Sequence, residues 1–331
     1  MPSYQALVVH DQDGEFVREI EEKNTADLPE GDVLIRVQYS SLNYKDALSA
    51  TGNKGVTRNY PHTPGIDAVG EIVESKDEAW SIGERVIVTG YDLGMNTSGG
   101  FGQYIRVPKH WLVKLPNTLT PKESMAYGTA GFTAALSVFR LLEAGVTPDQ
   151  GDVLVTGATG GVGSLAVGIL AQEGFNVVAA TGKLSETDYL THLGAKEIVS
   201  RSDVTDESNR PILSSRWAGV IDTVGGKMLE TALKTTQYGG TVTCCGLVAS
   251  PDLQTTVFPF ILRGVRLIGI DSVLCPMDIR QQLWAKLATT WKIPTLNSVM
   301  TDCSLTELSD QIDNILNGQI KGRVVINLST Q

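Results

Sequence analysis

The sequence contains few of the residues that build metal centres or disulfide frameworks. Its 331 residues include four cysteines and four histidines, with no Cys-x-x-Cys or His-Glu-x-x-His pattern. A zinc site needs three or four such ligands close together, so we expect no bound metal. Adjacent Cys244 and Cys245 lie in an apolar strand pattern, which predicts small buried residues. A reducing cytoplasm fits this cysteine usage.

Positive charge and long apolar runs are also scarce. The net charge of −10 argues against a nucleic-acid surface, which needs clustered Lys and Arg, but it leaves room for a local basic pocket. No apolar run is long enough to span a membrane. The first residues, Met1 to Gln5, lack the charged segment and apolar core of a secretion signal. We therefore expect a cytoplasmic protein without nucleic-acid or membrane partners.

A glycine-rich turn is the most informative feature that is present. The apolar run Val153–Val155 precedes Gly157-Ala158-Thr159-Gly160-Gly161-Val162-Gly163, and a helical pattern follows from Ser164. In a strand–turn–helix unit of this kind, bare backbone N–H groups and the helix N-terminus receive a phosphate. Gly160 would let the backbone approach a pyrophosphate, and Gly163 would let the helix pack closely on its strand. The alternative is a glycine-rich turn that binds nothing.

The chain divides into a β-rich part and a part of alternating strands and helices. Up to about residue 125, short Val- and Ile-rich strands punctuated by Gly, Pro and Asp predict a compact, partly antiparallel β domain. From 126 to 293, six strands alternating with helices predict a parallel, doubly wound sheet. Residues 294–331 are too short for a domain, so we expect them to complete the first one. The active site would then lie in the cleft between the domains.

The end of the second strand of the alternating part indicates which dinucleotide binds. An NAD-binding site of this fold carries an Asp or Glu there for the ribose 2′-hydroxyl. This chain has Ala180-Thr181-Gly182-Lys183 instead, which offers a hydroxyl, a free N–H and a positive charge. A 2′-phosphate would be held by this set and repelled by a carboxylate. The sequence therefore predicts NADPH, with Arg201 near the adenosine or its phosphate.

The missing catalytic motifs narrow the reaction. The chain has no Tyr-x-x-x-Lys pair, Gly-x-Ser-x-Gly elbow or Walker A sequence. A ketone reductase normally needs a metal or a strong acid to stabilise the developing alkoxide. An activated alkene needs less, because hydride attack at its β-carbon gives a delocalised enolate that a weak acid or water can protonate. The sequence therefore favours alkene reduction.

Eight short motifs in order resemble the zinc-independent branch of the medium-chain dehydrogenase/reductase superfamily, and most closely its acrylyl-CoA reductase group. These motifs are Ser41–Asp46, Pro64–Asp67, Gly128–Ala134, Val155–Gly163, Ile221–Gly225, Pro259–Arg263, Gly269–Val273 and Lys321–Arg323. The zinc alcohol dehydrogenases have a cysteine ligand at the place of Asn43 and a His-Glu pair in the Pro64–Asp67 segment. The resemblance implies a GroES-like β-rich catalytic domain, a Rossmann domain, and NADPH-dependent reduction of acrylyl-CoA to propionyl-CoA.

The resemblance also implies roles for individual residues. Tyr44 would lie against the nicotinamide and relay a proton, and Asn43 would either hydrogen-bond the substrate carbonyl or cap a turn. Asp46 and Asp67 would be structural acceptors, and Arg323 either a phosphate contact or a surface residue. The remaining implied cofactor contacts are Thr159, Gly160, Gly161, Val162, Thr181, Gly182, Lys183, Arg201, Leu247, Ile261 and Ser272.

The sequence leaves two alternative functions open, and it predicts an oligomeric state. The same fold would serve a reductase of free enones or quinones, or a non-enzymatic NADPH-binding structural or redox-sensing protein. The sixth strand, Arg266–Ile270, should lie at the edge of its sheet, where an apolar edge invites pairing. We therefore expect a two-fold homodimer joined at that strand.

Overall fold

The structure, a computed structural model, describes residues 2–329 and divides into two compact units. The first unit contains Met1–Thr129, Val273–Gln281 and Leu296–Gln331. The second contains Ala130–Ser272 and Gln282–Thr295. Each unit has its own sheet, so each is described by itself.

The strands are β1 Ser3–Gln12, β2 Glu15–Asn24, β3 Val33–Ser41, β4 Asp67–Ser75, β5 Arg85–Thr89, β6 Tyr104–Val107, β7 Val113–Lys114, β8 Val153–Val155, β9 Val177–Thr181, β10 Glu197–Ser200, β11 Trp217–Asp222, β12 Thr236–Cys244, β13 Arg266–Gly269, β14 Met300–Ser304 and β15 Arg323–Asn327. The helices are α1 Tyr44–Ala50, α2 Pro121–Glu143, α3 Gly161–Gln172, α4 Thr187–His192, α5 Gly226–Thr235, α6 Phe258–Arg263, α7 Met277–Leu287, α8 Leu296–Val299 and α9 Leu308–Leu316.

The first unit is built on a mixed sheet that joins the two ends of the chain. Its order is β14-β15-β3-β4-β5-β7, with β6 paired to β3, and the pairs are antiparallel except β14–β15. Strands β1 and β2 form a separate antiparallel hairpin. Alternate residues of β3 and β4, including Val33, Ile35, Ala68 and Ile72, are buried in one apolar core. Because β15 pairs with β3, the C-terminal segment contributes strands to this sheet.

The second unit is a parallel sheet in the order β10-β9-β8-β11-β12-β13. Numbered within the unit, this is 3-2-1-4-5-6, the order of a dinucleotide-binding fold. Its central strands are short and fully buried, as expected for a sheet covered on both faces. The prediction of a parallel, doubly wound sheet is confirmed, and its sixth strand does lie at an edge.

The structure differs from the sequence predictions mainly in short elements. The hairpin partner β2, although ten residues long, was not predicted, because its many charged residues leave no alternation of apolar side chains. The short helix α1 and the strand β14 were also not predicted. Helix α2 runs from Pro121 to Glu143, and Gly128 interrupts it with φ 51° and ψ −153°.

No helix within residues 2–329 is long and apolar enough to cross a membrane.

Candidate functional site

The glycine turn, Gly157–Gly163, connects β8 to α3 in the second unit. Gly160 is the N-cap of α3, a helix of 12 residues. The first N–H groups of a helix lack partners within it, and its N-terminus carries a partial positive charge. The amides at Gly161, Val162 and Gly163 therefore form the positive end of this helix, where an anion is stabilised.

The glycines in this turn are required for two different reasons. A Cβ on Gly163 would lie 2.3 Å from the Gly157 oxygen and 2.8 Å from the Ala158 Cα, so helix–strand packing excludes it. Gly157 has φ +59°, and a Cβ there would lie 2.5 Å from Thr223 Oγ1. A Cβ on Gly160 would meet only the Gly157 oxygen, at 3.3 Å. Packing within the protein thus excludes a side chain at Gly157 and Gly163, and at Gly160 it opposes one less strongly.

Side chains at the end of β11 hold the base of the turn. Asp222 is fully buried, and it accepts hydrogen bonds from Thr156 Oγ1 (2.8 Å) and the Gly225 N–H (2.8 Å). The Thr223 hydroxyl donates to the Thr156 carbonyl at 2.8 Å. Burial raises the pKa of the Asp222 carboxyl, while these hydrogen bonds lower it. The start of the turn is therefore tied to the neighbouring strand before any ligand binds.

The residues after β9 form a second positively charged site. The guanidinium of Arg201 lies against Gly182, since a Cβ on Gly182 would lie 2.5 Å from Arg201 Nε. Gly182 and Arg201 are exposed and Lys183 is half-buried. Thr181, by contrast, is 1% exposed, and its hydroxyl accepts from the Lys183 N–H (3.0 Å) and contacts Thr159 Oγ1 (3.1 Å). Thr181 therefore shapes the loop, and the cations and amides beside it face solvent.

These two sites fit a dinucleotide phosphate. The bare N-terminus of α3 suits a pyrophosphate, and the Gly182, Lys183 and Arg201 group suits a terminal phosphate on the ribose. The space outside Gly160 is where a phosphate would have to come close to the backbone. Thr159 and Thr181 are both buried, so they support the turn from behind.

Of the remaining predicted cofactor residues, Leu247 and Ser272 follow the ends of β12 and β13, and Ile261 lies on α6. Leu247 is 57% and Ile261 is 68% exposed, and Ser272 is half-buried. A cavity of about 610 Å³ in the same unit is lined by other residues, including Cys244, Cys245, Leu253 and Ile270. The prediction that the cysteine pair is buried is wrong: both residues are partly exposed free thiols, because β12 ends at Cys244 beside this cavity.

A buried polar cluster lies where α1 begins in the first unit. Six residues from four separate segments form it: Ser41, Asn43, Asp46, Asp67, Thr129 and Arg323, which all belong to the first unit. Their side chains are brought together because β3, β4 and β15 are neighbours in the sheet and α1 follows β3 directly. Tyr44, the first residue of α1, follows Asn43 and is half-buried.

Asp67 is the most heavily hydrogen-bonded residue of the cluster. Its Oδ2 accepts from Ser41 Oγ (2.7 Å), Asn43 Nδ2 (2.8 Å) and the Thr129 N–H (2.9 Å). Its Oδ1 accepts from the hydroxyl of Thr129 at 2.5 Å. The Arg323 guanidinium lies 3.7 Å from Oδ2. Only an ionised carboxylate accepts so many donors, so Asp67 carries the negative charge that balances Arg323.

Arg323 closes the cluster from the other side, which overturns both readings of this residue from the sequence. It is 3% exposed and donates to Ser41 Oγ (2.8 Å), Asn43 Oδ1 (3.2 Å) and the Leu42 carbonyl (3.0 Å). A guanidinium so fully engaged is neither a surface residue nor a free phosphate ligand. Gly128 makes room for it, since a Cβ there would lie 3.0 Å from Arg323 Nη2 and 2.4 Å from Asp67 Oδ2.

The side-chain amide of Asn43 makes hydrogen bonds to other groups of the protein. Its amide nitrogen donates to Asp67 and to the Ser41 carbonyl (3.2 Å), and its oxygen accepts from Arg323. It is also the N-cap residue of α1. Of the two roles weighed from the sequence, capping the turn is the one seen in this geometry. A role as donor to a substrate stays a prediction.

The sequence patterns missed the cluster as a unit. Thr129, Ser41 and Arg323 were not singled out as interacting residues, although each lies in one of the short motifs quoted above. Among residues 2–329, a different group brings metal-ligand atoms within reach of one another, namely His10, Glu19 and Glu21 on the β1–β2 hairpin. It lies outside the motifs, and exposed acidic groups of this kind are common without an ion.

Two family models match this chain. The model of the alcohol dehydrogenase GroES-like domain matches residues 29–117, and the model named zinc-binding dehydrogenase matches residues 161–289. The acrylyl-CoA reductase AcuI of Ruegeria pomeroyi is 43% identical over 328 residues, covering 98% of this chain and 99% of that protein.

Two solved structures are similar over almost the whole chain. The yhdH oxidoreductase from Salmonella enterica in complex with NADP is 43% identical, with a TM-score of 0.95 over 98% of this chain and 99% of that one. The Bacillus subtilis protein yhfP with NAD bound is 45% identical, with a TM-score of 0.97 over 99% and 100%.

Proposed function

The chain belongs to the medium-chain dehydrogenase/reductase family, and from that premise we propose that it reduces the activated double bond of acrylyl-CoA with NADPH, giving propionyl-CoA. The predictions of this family, of a GroES-like plus Rossmann fold and of an NADP-dependent oxidoreductase are confirmed. The proposed substrate is the one for which the acrylyl-CoA reductase of Ruegeria pomeroyi is named. This chain is similar to that protein over 98% of its length.

One observation carries the cofactor part of the proposal. Gly160 caps the N-terminus of α3, and a Cβ there would make one tight contact, 3.3 Å from the Gly157 oxygen, whereas a Cβ on Gly163 or Gly157 would come within 2.3 or 2.5 Å of its neighbours. A phosphate that approaches the backbone at this point explains the third glycine. Gly161 and Val162 would hold the pyrophosphate region, with the buried Thr159 supporting the turn behind them, and Lys183, Arg201 and Gly182 would hold the 2′-phosphate. The bound cofactor would supply the hydride.

The proposed nicotinamide contacts are Leu247, Ile261 and Ser272. Leu247 is an exposed apolar side chain just after the carboxyl end of β12, where ligands of this fold bind, and Ile261 is an exposed apolar side chain of α6. Their exposure leaves both surfaces available to a ring.

We propose Tyr44 as the residue of the first unit that acts on the reaction. It begins α1, and the buried polar cluster fixes the backbone just before it. Its phenol would position the nicotinamide and relay a proton to the α-carbon. The Tyr44→Phe variant should then keep NADPH affinity while its kcat falls; an unchanged kcat would remove the relay role.

The edge of the second unit supports a homodimer. Strand β13 is an edge strand, and the segment leading to it exposes Val248, Val257 and Leu262 in addition to the two proposed apolar nicotinamide contacts. Apolar side chains next to an open strand edge favour pairing with a second copy. Sedimentation at micromolar concentration should give twice 35.5 kDa, and a 35.5 kDa monomer would contradict this. We also propose a reducing, cytoplasmic location, which suits four free cysteines.

The decisive test is NADPH oxidation measured in parallel with acrylyl-CoA, crotonyl-CoA, free acrylate and a quinone. We expect the highest kcat/KM with acrylyl-CoA and little activity with free acrylate. A quinone rate far above the acrylyl-CoA rate would favour the alternative of a quinone or enone reductase. NADPH binding without turnover of any of the four would favour a non-enzymatic role.

A further inference from the structure

The buried polar cluster contains two carboxylates but only one cation. Asp67 is balanced by Arg323 and accepts the donors described above. Asp46 is equally buried, at 0% exposure, and the hydrogen bonds it accepts come from neutral amide groups. The negative charge of Asp67 balances the positive charge of Arg323. An ionised Asp46 therefore leaves the cluster with one excess negative charge.

Asp46 joins two segments that are distant in sequence. Its Oδ2 accepts from the backbone N–H of Asn43 at 2.8 Å and from the Asn43 amide at 3.3 Å. Its Oδ1 accepts from the backbone N–H of Ile66 at 2.8 Å. One carboxyl group therefore connects the residue before α1 to the residue before β4. Both contacts to backbone need an acceptor, which the ionised form supplies on both oxygens.

We propose that Asp46 is a positioning residue for the reaction: its carboxylate anchors the start of α1 to Ile66 and so holds Asn43 and Tyr44 in their working positions. The part concerning Tyr44 rests on the proposed function. Asp46 touches neither substrate nor cofactor in this proposal. It acts through Asn43 and Tyr44, which lie three and two residues before it.

The electrostatics of the site make this anchor sensitive to pH. Burial and, next, the charge of Asp67 raise the pKa of Asp46 to about 7, although hydrogen bonds from Asn43 and Ile66 lower it. The facing groups are Asp67 on β4 and Arg323 on β15, with Lys45 beside it on α1. Helix α9 packs against α1 and carries Asp310 and Asp313, but both are exposed. A proton on Asp46 would remove one acceptor and weaken the anchor.

The test compares the wild type with Asp46→Asn, which keeps the volume but replaces one acceptor oxygen with a donor that faces the Asn43 N–H. The matched control is Ile72→Val, a mild core truncation on β4 in the same unit. For each protein, kcat, KM for acrylyl-CoA and the Kd for NADPH would be measured between about pH 5 and pH 9.

We expect wild-type kcat to fall as pH drops through about 7, where Asp46 takes up its proton. In Asp46→Asn, kcat should be about tenfold lower or more above that pH, and this acid limb should disappear. The Kd for NADPH should change less than about threefold, because the phosphate-holding residues are in the second unit. The Ile72→Val control should keep the wild-type pH profile. A variant Asp46→Asn with the wild-type limb and kcat would overturn the proposal.

A second measurement needs neither substrate nor cofactor. The folded pKa of Asp46 is raised, so the folded protein holds a proton that the unfolded chain has lost above about pH 4. This contribution to stability is complete below about pH 4 and is lost as pH rises through about 7. The free energy of unfolding of the wild type should therefore fall more steeply with pH over that range than that of Asp46→Asn. The difference in slope should correspond to at most one proton. Parallel slopes would contradict the charge argument.

The activity measurement and the stability measurement test this inference and the proposed function separately. A protein inactive on acrylyl-CoA would refute the function, whereas the stability slope would still report on Asp46. If Asp46→Asn does not fold, aspartate labelled with ¹³C at its carboxyl can be titrated in the wild type and in Asp222→Asn, which removes the other buried aspartate whose pKa is raised. A carboxyl titrating near pH 7 in both proteins supports the proposal, and its absence overturns it.

Discussion

The glycine turn of the second unit and the buried polar cluster of the first unit are built from different materials. The turn offers backbone N–H groups, a helix N-terminus and bare Cα atoms within seven consecutive residues, Gly157–Gly163. The cluster is made of side chains from positions 41 to 323, all of them nearly or fully buried except Thr129. The first arrangement is local and faces outward, and the second is assembled by the sheet and faces inward.

This difference should decide how each region responds to substitution. Backbone amides at a helix N-terminus need no partner to stay folded, since water satisfies them when no ligand is bound. Buried ions do need their partners, because removing one leaves an uncompensated charge in a medium of low dielectric. Changes in the turn should therefore affect ligand binding more than folding, and changes in the cluster should affect folding first.

The largest effect is expected for Arg323→Met. It would leave Asp67 and Asp46 buried without their cation and remove hydrogen bonds to Ser41 and Asn43. Breaking a buried pair in this way costs about 3–5 kcal/mol of unfolding free energy. Urea denaturation at neutral pH would measure it.

Arg36→Met provides the control for Arg323→Met. Arg36 lies on β3 and pairs with Glu71 at 3.3 Å, but its side chain is 52% exposed. Exposed pairs contribute about 0–1 kcal/mol. A loss in Arg323→Met as small as in Arg36→Met would contradict the view that the cluster holds the first unit together.

The next effect is expected from alanine at two glycines of the turn. Gly163→Ala puts a Cβ 2.3 Å from the Gly157 oxygen, so the helix must shift and the protein should lose about 1–3 kcal/mol of stability. Gly160→Ala meets one backbone atom, at 3.3 Å, and should lose less stability than Gly163→Ala because a smaller shift relieves the contact. Its NADPH affinity should nonetheless fall, which fluorescence titration of NADPH would show. Unchanged affinity in a folded Gly160→Ala would mean that no phosphate approaches the backbone there.

The same contrast explains how much could be predicted from the sequence. The glycine turn and its strand and helix were predicted because every part of the signal is contiguous. The six strands of the second unit were predicted for a similar reason, since each contains an apolar stretch and all except β10 are followed by an α-helix. Thr181 shows the limit even here: its hydroxyl was expected to meet a phosphate, but it is buried and binds the Lys183 N–H and Thr159.

The cluster could not be predicted because its partners are set by the sheet. Arg323 approaches Ser41 only because β15 pairs with β3, and no local pattern of residues near Arg323 indicates that pairing. The residue types alone, two aspartates and one arginine, do not show whether the three side chains are buried together or exposed separately. For the same reason, no pattern indicated that Val273–Gln281 belongs to the first unit, where Arg280 donates to the Thr89 carbonyl at 2.9 Å.

A smaller effect is expected for the cations after β9. Lys183→Ala removes a positive charge beside Gly182, where a 2′-phosphate is proposed to bind. The Kd for NADPH should rise about tenfold, or about 1.4 kcal/mol, while the Kd for NADH stays within about twofold. Lys196→Ala, an exposed lysine of the same unit that donates to Asn176 Oδ1, is the control and should change neither value. An unchanged ratio of the two constants in Lys183→Ala would remove the assignment of the 2′-phosphate to this loop.

The smallest effect is expected for Thr181→Val, which tests whether a buried polar contact in the second unit resembles those of the cluster. The substitution keeps the shape but removes one neutral hydrogen bond from the Lys183 N–H, at 3.0 Å, and the contact with Thr159 Oγ1. Loss of such a bond costs about 1 kcal/mol, and no charge is left unpaired. Thr181→Ser keeps the hydroxyl and should recover most of that loss in denaturant titration. If Thr181→Val instead cost as much as Arg323→Met, the two regions would not differ in kind, because the turn would then depend on buried side chains as strongly as the cluster does.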